Sequence, residues 1–297
     1  MSEGLRIGIV GIGAMGLPIA RNLHGRGHRL AVCDIDPVAI AAATAIGIEA
    51  CDSPAALAAR SDVLIVVVVD AAQIDDVLFG PEGVVAAKSR PAADRLCVML
   101  CSTIAAEDTE RFGARLAAHA VDVLDAPISG GPARAGDGSM SMMLAGDPSL
   151  LNRHDALLRA MAAKRFYIGP RLGDAARTKL VNNLLAGVNL VAAAEAMALG
   201  ARLGLDRRAL FDVISASSGA SWIGSDRMAR ALDGDWVPRA RAAILTKDVG
   251  LAVGMAGAAG IATPLGAEAL KVFEATLAAG FADLDDAAVI RAIWPDF

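Results

Sequence analysis

The segment GDAARTKLVNNLLAG, residues 173–187, contains a lysine and an asparagine whose spacing suits proton transfer. Lys179 and Asn183 are four residues apart, so on a helix they project from the same face. The chain has five lysines against 23 arginines, which makes a retained lysine informative. Partial desolvation can bring the pKa of a lysine toward neutrality, whereas arginine stays protonated. We predict that Lys179 is a general acid or base and that Asn183 holds it or the ligand; a solvated helix-surface lysine is the alternative.

A glycine-rich turn near the N-terminus forms a second candidate site. It follows the β-rich run LRIGIV and precedes an amphipathic helical pattern. In that context glycines permit a tight turn, close approach of a pyrophosphate and close helix packing, with the phosphate at the helix N-terminus. A purely structural turn and a flavin site are the alternatives. The residues of this turn are Gly11, Ile12, Gly13, Ala14, Met15 and Gly16.

Asp34 ends the next β-rich run, RLAVCD, at the distance from the glycines that a dinucleotide site requires. A carboxylate there accepts hydrogen bonds from ribose hydroxyls and repels a 2′-phosphate. The pattern therefore predicts NAD as the cofactor, in preference to NADP. The alternative is that Asp34 only caps the loop that follows, together with Asp36.

Composition narrows the function classes. The 28 basic and 33 acidic residues, with a pI near 5.4, provide no basic surface for nucleic acid or an anionic membrane. The hydrophobic fraction of 55% and the mean hydropathy of +0.48 require a check for membrane spans. The run VLIVVVV has the length of a buried strand, and the apolar stretch near residue 190 contains Asn189 and Glu195, which are costly in lipid. We expect neither a nucleic-acid partner nor a membrane partner.

The N-terminus and the cysteines favour a cytoplasmic protein. The chain enters the glycine turn at once, without a charged region and apolar segment typical of a signal peptide. The four cysteines have neither Cys-x-x-Cys spacing nor the density of a disulfide scaffold, and we interpret them as packing residues. With four scattered histidines, no metal site is predicted.

The organisation of the chain changes near residue 170. Before it, β-rich runs alternate with alanine-rich helical stretches, which predicts a largely parallel sheet. After it, β-branched runs disappear, and one helix of about 30 residues could begin near Ala175. We predict an α/β Rossmann dinucleotide-binding domain, residues 1–166, and an all-helical domain, residues 167–297, joined through that long helix.

The pattern GxGxMGxPxAxNL at residues 11–23 resembles the opening of the β-hydroxyacid dehydrogenase family, which includes 3-hydroxyisobutyrate, tartronate semialdehyde and threonate dehydrogenases. The chain departs from the family at Leu100, at Val68 and Val69 in place of Leu-Pro, and at Ala175 in place of a glycine. None of these changes removes a group that does chemistry. Four later segments are similar to family signatures in the same order: Ser102–Thr103, Asp125–Gly146, Lys179–Asn183 and Lys247–Ala252.

The resemblance implies an NAD-dependent oxidoreductase that transfers hydride between nicotinamide and a small β-hydroxy acid. It implies a catalytic group of Lys179, Asn183 and Ser129, and a substrate-binding role for Trp222, for which a place in the core is the alternative. Ser129 with Gly130 and Gly131 combines a hydroxyl with two unhindered amides, a surface that can bind a carboxylate, although an ordinary turn has the same sequence. Besides the glycine turn and Asp34, the implied cofactor contacts are Val68, Val69, Thr103, Lys247 and Asp248. For Lys247 and Asp248, a solvated ion pair on a helix is the alternative.

The family leaves the substrate open. Candidates are 3-hydroxyisobutyrate, L-serine, glycerate or tartronate semialdehyde, and L-threonate, and the segment around Trp222 looks closer to the threonate branch. Relatives associate through their helical domains, so a homodimer or homotetramer is expected. An imine reductase or a non-catalytic dinucleotide-binding module of the same fold is the alternative, but each usually lacks a lysine where this chain has Lys179.

Overall fold

The computed structural model describes residues 4–87, 95–295 and 297. The chain divides into two compact units, Met1–Lys179 and Leu180–Phe297. The boundary between these units falls inside one long helix. The domain boundary that we predicted between residues 166 and 167 stays a prediction.

The first unit is built on a sheet with the strand order of a Rossmann domain. Its described strands are β1 (Arg6–Val10), β2 (Arg29–Cys33), β3 (Glu49–Ala50), β4 (Val63–Val66), β5 (Cys97–Leu100), β6 (Asp122–Asp125), β7 (Ile128–Ser129), β8 (Ser141–Ala145) and β9 (Lys164–Gly169). Strands β1 to β6 pair in parallel in the order β3-β2-β1-β4-β5-β6. Strand β8 is antiparallel to β6 and β7 and parallel to β9. The order reverses direction between β1 and β4, which is where ligands bind in open α/β sheets.

Helices cover this sheet, and their starts are visible in the sequence. Asp36, Ser53 and Asp147 each accept a backbone N–H hydrogen bond at a helix N-cap, and a proline follows each of them. The helices are α1 (Gly16–Gly25), α2 (Pro37–Thr44), α3 (Pro54–Arg60), α4 (Ala71–Phe79), α5 (Ala106–Ala118), α6 (Gly131–Asp137), α7 (Pro148–Arg153) and α8 (Asp155–Met161), with a 3₁₀ turn at Val84–Ala86.

The central strands are buried on both faces. In β4, Ile65 packs in one apolar cluster with Ile9, while Leu64 and Val66 pack in a second cluster. Alternate residues therefore face opposite sides of the sheet, as parallel strands between two helix layers require. The apolar run predicted to form a strand through residue 69 stops at Val66, because the chain turns there toward α4.

The second unit is helical. Its helices are α9 (Asp174–Arg202), whose first residues belong to the first unit, α10 (Arg207–Ser215), α11 (Trp222–Leu232), α12 (Ala242–Ala258), α13 (Pro264–Thr276) and α14 (Val289–Ile293), with a π-helical segment at Leu277–Phe281 and a 3₁₀ turn at Asp286–Ala288. A Cβ atom at Gly187 would lie 2.5 Å from Val249 Cγ2, so α9 and α12 approach closely there. The predicted fold class, a Rossmann domain followed by an all-helical domain, is confirmed.

Helix α9 matches the predicted long helix, with 29 residues from Asp174. Within the described part of the chain it is the one helix long and apolar enough to cross a membrane, and 39% of its most apolar stretch is buried. Val181, Leu185 and Leu199 on this helix are exposed. Helix α9 therefore presents apolar side chains that no other described residue covers.

Candidate active site

The glycine turn connects β1 to α1 at the carboxyl end of β1. Gly11 has a φ of +85°, and a Cβ atom there would lie 2.5 Å from the carbonyl oxygen of Val67. A Cβ atom at Gly16 would lie 1.9 Å from the carbonyl oxygen of Gly11. A Cβ atom at Gly13 would meet nothing within 4 Å. The fold therefore requires Gly11 and Gly16, whereas the space beside Gly13 is open to a ligand.

Asp34 lies against this turn, directly after β2. Its Oδ2 atom accepts a hydrogen bond from the N–H of Ile12 at 2.6 Å, and its Oδ1 atom accepts one from the N–H of Asp36 at 2.9 Å. The carboxylate thus joins the loop after β2 to the glycine turn. It caps its own loop and also stands beside the turn where we predicted the cofactor.

The ends of β4 and β5 add polar and apolar groups at the same edge of the sheet. Val68 contributes a side chain next to Gly11, where a Cβ atom would lie 3.0 Å from Val68 Cγ1. The N–H of Val69 donates to Oε1 of Gln73 at the start of α4. The buried Oγ atom of Ser102 has no hydrogen-bond partner among the described residues. Ser102 belongs to the Ser102–Thr103 signature, of which Thr103 is the residue we predicted as a cofactor contact, so the hydroxyl of Ser102 is a further candidate.

The Ser-Gly-Gly segment ends β7 and begins α6. Gly130 and Gly131 have φ values of +136° and +73°, which other residues adopt only with strain. The carbonyl of Ser129 accepts a hydrogen bond from Oγ of Ser141 in β8 at 3.3 Å. These contacts hold Ser129 to the sheet while its two glycines turn the backbone away.

Lys179 and Asn183 lie one turn apart on α9, and each is 7% exposed. Burial rules out the alternative of a solvated surface lysine. The Nδ2 atom of Asn183 donates a hydrogen bond to Oδ2 of Asp248 at 2.8 Å. The Oδ1 atom of Asn183 accepts a hydrogen bond from Nδ2 of Asn182 at 3.2 Å. The amide of Asn183 is therefore held in one orientation.

Asp125, at the end of β6, holds the start of α9. Its Oδ2 atom accepts hydrogen bonds from the N–H groups of Gly173, Ala175 and Ala176 at 2.9, 3.1 and 3.1 Å. Burial raises the pKa of Asp125 to about 6, although these three donors lower it. These hydrogen bonds join Asp125 to the helix that carries Lys179.

Besides Asn183, three predicted site residues belong to the second unit. Lys247 Nζ lies 2.8 Å from Oδ1 of Asp248 on α12, and Asp248 is buried. Trp222 is the first residue of α11 and is 54% exposed, with the Arg227 guanidinium 5.8 Å from its ring centroid. The Lys247–Asp248 pair is thus only partly solvated, unlike an ordinary surface ion pair.

The cysteines are buried and unbridged. Burial raises the pKa of Cys33 to about 11 and those of Cys97 and Cys101 to about 12, so these thiols stay protonated. Among the residues that the structure describes, no group of three His, Cys, Asp or Glu side chains is placed to hold a metal ion. The polar groups described above lie at the glycine turn, at the strand ends, on α9 and on α12.

Two family models cover most of the chain. Residues 6–169 match the model of the NAD binding domain of 6-phosphogluconate dehydrogenase. Residues 173–293 match the model described as the NAD-binding region of NADP-dependent 3-hydroxyisobutyrate dehydrogenase. The segments that carried the sequence resemblance fall within these two ranges.

Individual relatives align over nearly the whole chain. The L-threonate dehydrogenase of Cupriavidus necator is 39% identical over 285 residues, which cover 96% of this chain and 95% of that protein. The L-threonate dehydrogenase of Escherichia coli strain K12 is 38% identical, with 96% and 93% covered. A crystal structure of 3-hydroxyisobutyrate dehydrogenase from Salmonella typhimurium is 37% identical, with a TM-score of 0.89 over 97% of this chain and 99% of that one.

Proposed function

Because the chain belongs to the β-hydroxyacid dehydrogenase family, and is therefore an enzyme that binds a nicotinamide dinucleotide, we propose that it uses NAD to oxidise the hydroxyl group of a small β-hydroxy acid. The observation that carries the proposal is the burial of Lys179 one helical turn before Asn183. A buried lysine can lose its proton near neutral pH, which is what oxidation of an alcohol requires of a base.

The residues at the carboxyl edge of the sheet fit a dinucleotide. The space beside Gly13 accepts a pyrophosphate against the backbone, and the carboxylate of Asp34 accepts hydrogen bonds from a ribose diol. The buried hydroxyl of Ser102 has no hydrogen-bond partner within the described ranges, and a bound ligand would provide one. The other residues that we propose for cofactor binding are Gly11, Ile12, Ala14, Met15, Gly16, Val68, Val69, Thr103, Lys247 and Asp248.

The nicotinamide ring, when bound, supplies the hydride acceptor. The task of the chain's own residues is to hold the substrate carbon in place and to accept the hydroxyl proton on Nζ of Lys179 as the C–H bond breaks. The hydrogen bond from Asn183 to Asp248 holds the Asn183 amide in one orientation, one helical turn after Lys179 on α9. In the reverse direction the Lys179 ammonium returns the proton to the alkoxide.

The substrate that we place first is L-threonate. The support is that the two L-threonate dehydrogenases above are 38 and 39% identical to this chain over nearly its whole length. We propose that Ser129, Gly130 and Gly131 bind the carboxylate common to all candidates, and that Trp222 contacts the remainder of the molecule. A shared carboxylate site does not discriminate between acids, so the remainder of the molecule must set the preference.

We also propose a cytoplasmic homodimer or homotetramer. The exposed apolar side chains of α9, Val181, Leu185 and Leu199, suit association with a second copy of the chain. Light scattering coupled to size exclusion measures the state directly. A monomer at micromolar concentration would contradict this part of the proposal.

The test of function is a substrate panel. Purified protein with NAD or NADP is mixed with L-threonate, 3-hydroxyisobutyrate, L-serine and glycerate, and NADH formation is followed by absorbance. Cyclic imines with reduced cofactor test the imine reductase alternative. We expect oxidation of at least one hydroxy acid; turnover of imines alone, or cofactor binding without any turnover, would overturn the proposal.

Lys179→Arg then tests the proton transfer. We expect the variant to fold and bind NADH but to lose about 10² to 10⁴ in kcat, the usual size of a general acid–base contribution. Lys271→Arg is the matched control, since Lys271 is an exposed lysine paired with Glu268 on α13. Near-normal turnover in Lys179→Arg would mean that the position needs only a positive charge.

A further inference from the structure

We propose that Asp125 is a positioning residue for Lys179, acting through the start of helix α9. The inference rests on the proposed function, since it takes Lys179 as the group that transfers the proton. Asp125, the residues that it contacts and Lys179 all belong to the first unit, Met1–Lys179.

One carboxylate oxygen makes all three contacts. The Oδ2 atom of Asp125 accepts the N–H groups of Gly173, Ala175 and Ala176, which lie at the N-terminus of α9. The first N–H groups of a helix have no partner within the helix, so this carboxylate satisfies groups that would otherwise be unpaired. Asp125 is 1% exposed, and Ala175 is fully buried, so bulk water has little access to these donors. The carboxylate therefore fixes where α9 begins relative to the end of β6.

The position of Lys179 depends on that start. Lys179 follows Ala175 by four residues, about one helical turn, and lies on the same face of α9. Ala175 packs in a buried cluster with Met143 and Ala145 of β8, which fixes the rotation of this turn. A shift at the start of α9 therefore moves Lys179 as well, and a misplacement of about 1 Å can cost a factor of about 10² in rate.

Asp125 also sets the charge at this end of α9. At pH values above its pKa of about 6 the carboxylate of Asp125 is ionised, and its negative charge interacts favourably with the positive N-terminal end of the α9 dipole. A neutral replacement removes a negative charge and accepts the N–H groups less strongly, and both effects disfavour the ammonium form of Lys179. The other charged groups near this turn, Asp174 with Arg171 and Arg177, and Glu110 paired with Arg177, remain in every variant below.

The test is Asp125→Asn, which keeps the size and one acceptor but removes the charge. We expect kcat to fall by about 10 to 10²-fold while the Kd for NADH changes by less than about 2-fold, because the glycine turn is untouched. We expect the pKa of Lys179 to fall by about half a unit or more, measured by NMR of isotopically labelled lysine. Loss of one resonance in Lys179→Arg identifies the signal among the five lysines.

A second measurement separates positioning from general damage. In a Lys179→Ala background, Asp125→Asn should lower kcat no further, because the residue through which Asp125 acts is gone. The control is Asp147→Asn, since Asp147 is another aspartate at a helix N-terminus, accepting the N–H of Ser149 at 2.8 Å. This control should leave both kcat and the Lys179 pKa unchanged.

The outcomes are distinct. An Asp125→Asn enzyme with wild-type kcat and an unmoved Lys179 pKa overturns the inference, as does an equal loss of kcat in the Lys179→Ala background. If the wild type oxidises no hydroxy acid, the proposed function fails, while the lysine titration still decides whether Asp125 acts on Lys179. If Asp125→Asn does not fold, Asp125→Ser, which retains a small acceptor, enters the same titration.

Discussion

Asp34 accepts a 2.6 Å hydrogen bond from the backbone N–H of Ile12, although the two residues are 22 positions apart in the sequence. The bond holds a carboxylate against the glycine turn between β1 and α1. A ribose diol at this place meets two acceptor oxygens, whereas a 2′-phosphate meets a negative charge. Cofactor preference should therefore depend on Asp34.

We expect the wild type to prefer NAD to NADP by more than about tenfold in kcat/KM, or about 1.4 kcal/mol. The double change Asp34→Ser and Ile35→Arg should narrow or invert this preference, because it removes the repulsion and adds a cation for the 2′-phosphate. Ile35 is 96% exposed, so an arginine fits there without repacking. Steady-state kinetics with both cofactors measures the ratio.

The single change Ile35→Arg is the control for this experiment. It retains the Asp34 carboxylate, so its ratio should lie between those of the wild type and the double variant. Equal use of NAD and NADP by the wild type would contradict the role assigned to Asp34.

Substitutions at two glycines of the turn should affect different properties, one NADH binding and the other the stability of the fold. Gly13→Ala places its methyl group in open space, so stability should change little while the Kd for NADH rises by about tenfold or more. Gly16→Ala places its methyl group against the carbonyl of Gly11 and should cost about 1–3 kcal/mol of stability. Urea unfolding and fluorescence titration with NADH measure the two effects. Unchanged NADH affinity in Gly13→Ala would place the pyrophosphate elsewhere.

Much of the Rossmann domain could be predicted because its elements are locally encoded. The β-rich runs LRIGIV and RLAVCD form β1 and β2, and the glycine turn and Asp34 lie where their spacing indicated. Strands β3 and β7 were not predicted, because each is only two residues long, too short to show the alternation of apolar and polar residues typical of a strand. The length of α9 was predictable because the sequence between Asp174 and Arg202 contains no proline and no β-rich run.

Contacts between distant segments could not be read from the sequence. The hydrogen bonds from the start of α9 to Asp125 join residues 48 to 51 positions apart, and no local pattern indicates them. The same holds for the bond between Asn183 and Asp248, 65 positions apart. The sequence signatures identified these residues as members of one site. The hydrogen-bond partner of each side chain could be assigned only from the folded structure.

Breaking a buried ion pair should destabilise the second unit. Arg227 donates from Nε to Oδ1 of Asp286 at 2.5 Å and from Nη2 to Oδ2 at 3.2 Å, and both residues are buried. Arg227→Met leaves the Asp286 carboxylate buried without its partner and should cost about 3–5 kcal/mol at pH 8. The variant Lys271→Met, at an exposed ion pair, should change the free energy of unfolding far less.

The pH dependence of the Arg227→Met variant follows from the carboxyl group of Asp286. Burial raises the pKa of Asp286 to about 6, and the charge of Arg227 opposes that rise. Loss of Arg227 raises the folded-state pKa further, so the folded variant binds a proton more readily than the unfolded chain does. The stability deficit should therefore shrink as the pH falls from 8 to 5, measured by urea unfolding. A deficit that is constant with pH would show that Asp286 is not its source.

His154, between α7 and α8, should lower the free energy of unfolding at acidic pH. It is buried, and neither ring nitrogen has a hydrogen-bond partner among the described residues. Burial lowers its pKa, the charge of Arg153 lowers it further, and Asp122 and Asp62 oppose this. The unfolded chain therefore binds the proton at a higher pH than the folded protein, and wild-type stability falls as the pH drops through about 6.5.

His154→Leu removes this titration. The variant should gain stability relative to the wild type between pH 8 and pH 5, and at pH 8 it should be at least as stable, since an unpaired buried polar group is removed. The exposed His119 provides the matched control, and His119→Leu should show no such gain. Urea unfolding of the three proteins at both pH values measures the difference. If His154→Leu and the wild type lose the same stability on acidification, the acid sensitivity lies in other groups.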